Sequence, residues 1–193
     1  MRKLHPMRKG IAMRNILMTA MILTGLLALG GCIGPFSRHP VGNREVPEPA
    51  KPVDLQRYLG RWYEIARYEQ GFQKDCEGVT ADYALRPDGR ISVTNRCRTP
   101  KSSIRQAVGV ARIADPVTSA KLRVSFFGPF YGNYWVLDHA EDYTWSIVGE
   151  PSGRYLWLLA REATPPAETR EVLFNRAKAL GYDTGMLRVT AQP

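Results

Sequence analysis

The chain has few of the residues from which metal and redox centres are built, with three cysteines and three histidines among 193 residues. No cysteine pair has CxxC spacing and no histidine pair has HExxH spacing, so neither a dithiol centre nor a zinc site is indicated. The Gly-x-Ser-x-Gly elbow of hydrolases and the P-loop of nucleotide-binding enzymes are also missing. We therefore predict a protein that is not an enzyme and that carries neither a metal nor a cofactor.

Long hydrophobic runs are also scarce, and the clearest one extends from Ile16 to Leu29. At about 14 residues, this run is too short to cross a hydrocarbon core of ~30 Å as a helix. Five basic residues and no acid precede it, and Gly30-Gly31-Cys32 follows it. These features are typical of a secretory signal peptide, which we place at residues 1–31.

The formal net charge of +9 depends on this leader. The chain has 27 basic residues, five of them in the leader, and 18 acidic residues, so the net charge without the leader is +4. The remaining basic residues are scattered among acids and form no stripe with interleaved aromatics. We therefore predict no nucleic-acid partner. The net positive charge still allows the domain some affinity for anionic lipid headgroups.

The segment Leu29-Gly30-Gly31-Cys32 resembles the lipobox of bacterial lipoproteins. The resemblance implies cleavage before Cys32 and acylation of Cys32, and several acyl chains on one residue attach a protein stably to a membrane. An ordinary cleavage site beside a chance cysteine is the alternative. Residue 33 is isoleucine rather than aspartate, which by analogy with bacterial sorting rules favours the outer membrane, with the chain facing the periplasm.

The stretch from Ile33 to Lys51 contains four prolines and two glycines and has no hydrophobic period. Such a composition is typical of an extended linker. We therefore predict that residues 32–52 are a lipidated cysteine followed by a mobile tether. The folded domain is then expected to span residues 53–193.

Two cysteines remain for the folded domain, Cys76 and Cys97. A disulfide persists in an oxidising compartment outside the cytoplasm. We expect these two residues to form one, and a pair of free buried thiols is the alternative.

Beyond Val53 the sequence becomes a series of short segments with strand character, separated by turn residues such as Pro87-Asp88-Gly89. One amphipathic helix is expected after Thr164, with Gly181 at its end. This pattern is typical of an all-β sandwich or barrel, and eight strands fit one small barrel with one C-terminal α-helix packed outside. The predicted strands are 61–69, 77–86, 90–97, 104–113, 120–127, 133–138, 143–149 and 155–161, with a short edge strand at 186–190.

Alternation of apolar residues predicts which side chains face the barrel interior. In the first strand the alternation is less regular than in the others, because the apolar Ile65 occupies a position that it assigns to the outer face. The predicted inward sets are Trp62, Glu64 and Ala66; Val79, Ala81 and Tyr83; and Trp157, Leu159 and Arg161.

Aromatic residues are concentrated between Ser125 and Trp135. Core packing explains any one of them as well as ligand contact does. Tyr131 and Tyr134 lie in or at the edge of a predicted connection that contains glycine and proline, and connections of this kind often carry function. We therefore expect both tyrosines to lie at the mouth of the barrel, where a phenol suits a lipid because its ring contacts the acyl chain and its hydroxyl the polar head.

The segment from Leu59 to Arg67, LGRWYEIAR, resembles the G-x-W signature of lipocalins (calycin-type barrels), in the form seen in bacterial lipocalins and apolipoprotein D. Further matching segments follow in the family's order, and the resemblance covers residues 53–193. These segments are 79–83, 88–89, 93–95, 124–131, 137–138, 142–143 and 155–161. The resemblance implies an all-β fold, an eight-stranded up-and-down antiparallel β-barrel with one C-terminal α-helix packed outside.

This resemblance implies that Gly60, Trp62 and Arg161 close one end of the barrel, with Arg161 making a cation–π contact over Trp62. It also implies a fatty acid or lysophospholipid ligand in the cell envelope, where the family is associated with lipid binding and envelope stress. Tyr131 and Trp157 match pocket aromatics of the family. Parity and motif position add Glu64, Ala66, Tyr83, Phe126 and Tyr134 as candidate ligand contacts, and Glu64 has the alternative of being a buried, hydrogen-bonded carboxylate.

Two other classes of function remain open from the sequence. A few lipocalin-like barrels are enzymes that act on hydrophobic small molecules, and a barrel filled by its own aromatics would have only a structural role. Cavity volume distinguishes a filled barrel from a carrier. A homodimer is an open alternative to the monomer.

Overall fold

A computed structural model describes residues 40–193. The predicted signal peptide (1–31), Cys32 and the first residues of the predicted tether lie outside the described residues. Between residues 40 and 193, none of the helices has the length and apolar character needed to cross a membrane.

Eight antiparallel strands close into an up-and-down barrel, and this confirms the predicted fold. These eight strands are β1 (Gly60–Tyr68), β2 (Glu77–Leu85), β3 (Ile91–Arg98), β4 (Ile104–Ile113), β5 (Lys121–Phe127), β6 (Phe130–His139), β7 (Trp145–Gly149) and β8 (Leu156–Ala160). A short ninth strand is β9 (Leu187–Val189). Strands β1 to β8 pair in chain order, and β1 closes the barrel by pairing with both β2 and β8. Strand β9 pairs with the second half of β1, where an edge strand was expected.

The barrel has two ends that differ in how they are covered. We call the end that carries the β1–β2, β3–β4, β5–β6 and β7–β8 connections the open end, and the opposite end the closed end. Helix α1 (Leu55–Tyr58) covers the closed end, and the Trp62 indole donates a hydrogen bond to the Tyr58 carbonyl at 2.9 Å. The Asp54 carboxylate caps α1 by accepting from the backbone N–H of Gln56 and Arg57.

Two hydrophobic cores lie on the two sides of the barrel wall. The inner core fills the closed half of the barrel and is built around Trp62, Tyr83 and Val148. The outer core lies between the barrel and α2 (Ala167–Ala179), which buries Leu173 and Ala177 completely. The single helix of the predicted fold therefore packs outside the barrel, as expected.

A β-bulge interrupts the alternation of β1. Tyr63 and Glu64 oppose Ala160 and Leu159, but the register shifts so that Ala66 opposes Leu158. A bulge inserts one extra residue and thereby reverses which later side chains face inward. Arg67 consequently takes the inward position that unbroken alternation assigned to Ala66.

The residues around the β5–β6 turn are paired strand rather than connection. Phe127 opposes Phe130 across Gly128-Pro129, so β6 begins three residues earlier than predicted, and Tyr131 and Tyr134 both lie within it. A register shift between Val124 and Phe127 accompanies this tight hairpin.

The segment from residue 40 to 52 packs along the outside of the barrel, so this part of the predicted mobile tether is wrong. The Gly42 N–H donates to the Gly153 carbonyl in the β7–β8 connection at 2.9 Å, and the Ala50 N–H donates to the Leu137 carbonyl at 2.9 Å. Asn43 is buried and its side-chain amide donates to the Leu180 carbonyl at 2.9 Å. These backbone contacts fix the segment although its composition is that of a linker.

The predicted disulfide between Cys76 and Cys97 is confirmed, with a Cα–Cα distance of 5.4 Å. It joins the start of β2 to β3 near the open end and closes a sequence separation of 21 residues. Both residues are buried together with Val79.

Candidate ligand-binding site

The closed end of the barrel is sealed by Arg161 over Trp62. The guanidinium carbon lies 3.8 Å from the centroid of the Trp62 ring, within the range of a cation–π contact. The guanidinium also donates to the carbonyls of Arg61 at 2.8 Å and Arg57 at 2.6 Å. Gly60 has φ +92°, a conformation that favours glycine, at the point where the chain turns from α1 into β1. These contacts place all three predicted closure residues together at this end.

A chain of hydroxyl groups lies above the closed end, inside the barrel. The Tyr134 hydroxyl is within 2.9 Å of the Tyr83 hydroxyl and 3.0 Å of the Tyr58 hydroxyl, and Tyr58 is 3.2 Å from the Ser146 hydroxyl. Burial raises the pKa of Tyr58, Tyr83 and Tyr134, because desolvation disfavours the phenolate. The three phenols therefore remain neutral at physiological pH and satisfy one another's hydrogen bonds.

The closed half of the barrel is filled by these side chains. The cavity among Tyr58, Tyr83, Leu122 and Tyr134 has a volume of about 10 Å³, which is room for roughly one water molecule. A ligand of lipid size therefore has no space in the closed half unless side chains move.

The open half differs because small residues occupy several inward positions. Strand register aligns Trp62, Ala81, Asn95 and Ala107 across β1 to β4 on one face, and this face is the interior. Ala107 is solvent-exposed even though its face is the interior. Gly132 shares the inward parity of Tyr134 on β6 and is also exposed. The interior of the open half is thus reached directly from the mouth of the barrel.

Two aromatic side chains complete the wall of this open half. Phe126 packs against Gly109, where an added Cβ would lie 2.8 Å from the phenylalanine ring. The absence of a side chain at Gly109 therefore leaves room for the ring. Trp157 is half-buried, and its indole N–H donates to the Gln73 side-chain oxygen at 3.2 Å. Both residues pack against the inner core.

A buried polar cluster lies beside Trp157. The Glu64 carboxylate accepts hydrogen bonds from Arg67 at 2.6 Å, from the Thr190 hydroxyl and from the Gln73 amide. Glu64 and Arg67 are almost completely buried. Burial raises the pKa of Glu64, and the positive charge of Arg67 opposes that shift. The carboxylate is thus held by three donors and serves to tie β1 to the C-terminal segment and the β1–β2 loop.

Two of the predicted ligand contacts lie outside the barrel. Ala66 belongs to the outer core beneath α2, because the bulge in β1 reverses its direction. Tyr131 faces outward on β6, where the Arg112 guanidinium lies 4.6 Å from the centroid of its ring. The prediction that these two residues line the interior is therefore wrong. The bulge in β1 is the cause for Ala66, whereas Tyr131 faces outward because it alternates with the inward Gly132 and Tyr134 on β6.

The structure brings Tyr83, Phe126, Tyr134 and Trp157 together inside the barrel and places Glu64 in the polar cluster at its edge. Sequence reasoning missed several residues of the interior, which are Tyr58, Arg67, Gln73, Asn95, Ala107 and Ser146. The irregularity at Ile65 was the one available signal for Arg67. The others depend on contacts between distant strands and on the fold of the β1–β2 loop.

The fold and the interior define a β-barrel that is sealed at one end and accessible at the other. Residues 53–192 match the family model described as a lipocalin-like domain, and the chain belongs to the lipocalin family. It is 39% identical over 172 residues to the outer membrane lipoprotein Blc of Vibrio cholerae serotype O1, covering 86% of this chain and 94% of that protein. It is 40% identical over 141 residues to Blc of Escherichia coli strain K12, covering 72% of this chain and 80% of that protein.

A solved structure supports the fold independently. The structure of insecticyanin from the tobacco hornworm Manduca sexta superposes with a TM-score of 0.65 at 22% sequence identity, and the match covers 80% of this chain and 88% of that one. At this level of identity the likeness concerns the fold alone.

Proposed function

We propose that this chain is an outer-membrane lipoprotein that holds a fatty acid or lysophospholipid in the open half of its barrel. Its role would be to store or transport such lipids in the cell envelope, during envelope maintenance or stress. The proposal is carried by one observation, which is that a filled closed half lies below an accessible open half lined by small and aromatic residues. Two relatives named as outer membrane lipoproteins and the lipobox-like segment ending at Cys32 support the location.

The open half has the chemistry that a single acyl chain requires. Phe126 and Trp157 offer apolar ring surface, and the short side chains of Ala81 and Ala107 face the same interior. An acyl chain of ~16 carbons gains on the order of 10 kcal/mol of transfer free energy when buried, from which the ordering costs of binding are subtracted. Affinity in the micromolar range or tighter is therefore expected.

Binding is a better account of the interior than catalysis. The carboxylate of Glu64 is occupied by Arg67, Thr190 and Gln73. The phenols of Tyr58, Tyr83 and Tyr134 are kept neutral by burial. These groups are engaged in hydrogen bonds within the protein that stabilise the barrel, which favours a carrier over an enzyme.

The test uses the chain from Ile33 onward, which lacks the lipid anchor on Cys32. Its affinity is measured with a fluorescent fatty acid that palmitate or lysophosphatidylcholine displaces. Ala107→Trp places a large ring in the open half, and the neighbouring Val108→Trp places the same ring on the exposed outer face as a matched control. We expect at least a tenfold weaker affinity for Ala107→Trp and less than a twofold change for Val108→Trp.

A second pair of variants separates inner from outer aromatics. Trp157→Ala removes an interior ring and should weaken the affinity for the fluorescent fatty acid severalfold. Tyr131→Ala removes a ring that contacts Arg112 on the outer face and should leave this affinity unchanged. Equal affinity in Ala107→Trp and the parent, with both folded by circular dichroism, would show that the open half is not the binding site.

A further inference from the structure

We propose that the open end of the barrel docks onto the bilayer that holds Cys32, with exposed apolar side chains inserted at the level of the lipid headgroups. This inference rests on the proposed lipid anchor at Cys32. It goes beyond that anchor because it assigns an orientation and a second membrane contact made by the folded domain itself.

The first observation is the composition of the open end. Four large apolar side chains there are strongly exposed, namely Phe127 at 81%, Phe130 at 78%, Ile104 at 68% and Phe72 at 65%. They come from three different connections, since Phe127 and Phe130 flank one hairpin, Ile104 begins β4 and Phe72 lies in the β1–β2 loop. Exposed aromatic side chains grouped at one end of a barrel are typical of a surface that contacts a partner or a membrane.

The charges at this end complement an anionic lipid surface. Lys74, Arg98 and Lys101 are exposed in or beside the open-end connections, and Asp75 is the exposed acid among them. The nearby acids Glu69 and Glu77 are paired with Arg188. Basic residues next to inserted apolar side chains are the pattern that binds membranes with anionic lipids.

The second observation is that Gly42 and Asn43, which follow the predicted anchor in the chain, contact the barrel at its open end. Gly42 and Asn43 both donate backbone hydrogen bonds to the Gly153 carbonyl, in the β7–β8 connection at the open end. The approach is so close that a Cβ on Gly153 would lie 1.8 Å from the Asn43 carbonyl oxygen. The Asp183 N–H donates to the Gly42 carbonyl at 2.9 Å and fixes the segment from its other side.

This attachment sets how far each end of the barrel can lie from the membrane. Nine residues separate Cys32 from Gly42, which span at most about 35 Å when fully extended. A barrel whose strands have up to ten residues and tilt by about 40° is roughly 25 Å tall. The open end therefore lies within reach of the bilayer whether the linker is compact or extended, whereas the closed end reaches it only if the linker runs back along the whole barrel.

The orientation has a functional consequence. With the mouth against the headgroups, an acyl chain passes between the bilayer and the open half without crossing bulk water. Insertion of Phe127 and Phe130 beside the mouth would also loosen the lipid packing at the point of entry.

The experiment uses the full lipidated chain reconstituted in vesicles of phosphatidylcholine and phosphatidylglycerol at a ratio of about 3:1, with brominated acyl chains in half of the samples. The parent has four tryptophans. The fluorescence of an added tryptophan is therefore obtained as the difference between each variant and the parent. The test positions are Phe127→Trp and Phe72→Trp, on two different open-end connections. The matched control is Val117→Trp, because Val117 is 88% exposed in the β4–β5 connection at the closed end.

We expect bromolipids to quench the added signal at positions 127 and 72 by at least twofold and to leave position 117 unquenched. Quenching at 117 equal to that at 127, or no quenching at either, would overturn the docking inference. The mass of the N-terminal peptide reports the anchor separately, and an unmodified Cys32 would overturn both the anchor and the docking. Displacement of the fluorescent fatty acid, measured on the same samples, distinguishes a failure of lipid binding from a failure of docking.

Discussion

Replacement of Arg161 by alanine tests whether the seal at the closed end stabilises the barrel. The guanidinium contacts the Trp62 ring at 3.8 Å and donates to carbonyls of α1 and of β1. A partly desolvated cation–π contact contributes about 1–2 kcal/mol, and a hydrogen bond from a charged donor contributes about 1.5–3 kcal/mol. Because these contributions overlap and the guanidinium is partly exposed, we expect a total loss of about 3 kcal/mol.

For a domain of this size, such a loss lowers the melting temperature by about 6–12 °C. Urea unfolding followed by tryptophan fluorescence measures the loss directly. Arg161→Lys is the matched control, since lysine keeps the charge over Trp62 but loses the planar fork that reaches several carbonyls. It should lose about half as much stability. If Arg161→Ala costs less than ~1 kcal/mol, or costs the same as Arg161→Lys, then the seal is not stabilising in the way that the geometry indicates.

Three further predictions follow from buried groups away from the closed end. Cys76→Ala/Cys97→Ala should lower the free energy of unfolding by about 3 kcal/mol, because the disulfide closes a separation of 21 residues; no change in the urea midpoint would contradict this. Arg67→Ala leaves Glu64 buried without its partner and should cost about 3–5 kcal/mol, whereas Glu64→Gln should cost less in the same urea assay. Burial raises the pKa of Tyr68 to about 12, so its contribution to stability is complete below pH ~10 and is lost as the pH rises toward 12; the difference in absorbance at 295 nm between the parent and Tyr68→Phe should show this tyrosine ionising only well above pH 10.

The strand pattern could be predicted from the sequence because it depends on local periodicity. Turn residues such as Pro87-Asp88-Gly89 separated the strands, and Gly89 indeed adopts φ +78° in the β2–β3 turn. The helix after Thr164 was equally visible, with Leu173 and Ala177 on its buried face. Each of these features is decided within a few residues, so the sequence alone carries the information.

The direction of individual side chains was less predictable, because alternation assumes an unbroken strand. The bulge after Glu64 turned Ala66 outward and Arg67 inward. The tight turn at Gly128-Pro129 extended β6 and placed Tyr131 against Arg112 on the outer face. A register shift of one residue exchanges the two faces of a strand, so a small local irregularity changes the predicted site.

Contacts between distant parts of the chain were invisible for a different reason. The segment around Gly42 has the composition of a linker, but it is held by hydrogen bonds to Gly153 and Asp183. The hydroxyl chain through Tyr58, Tyr134 and Ser146 joins three elements. Local periodicity in the sequence does not predict such contacts, because the partners lie far apart in the chain.

The central claim is that the open half of the barrel holds one lipid, and native mass spectrometry tests it most directly. The chain from Ile33 onward, purified from bacteria without detergent, should carry a single acyl-containing species that palmitate displaces, and Ala107→Trp should lack this species. A protein of bare polypeptide mass, with no binding of the fluorescent fatty acid at micromolar concentration, would contradict the claim.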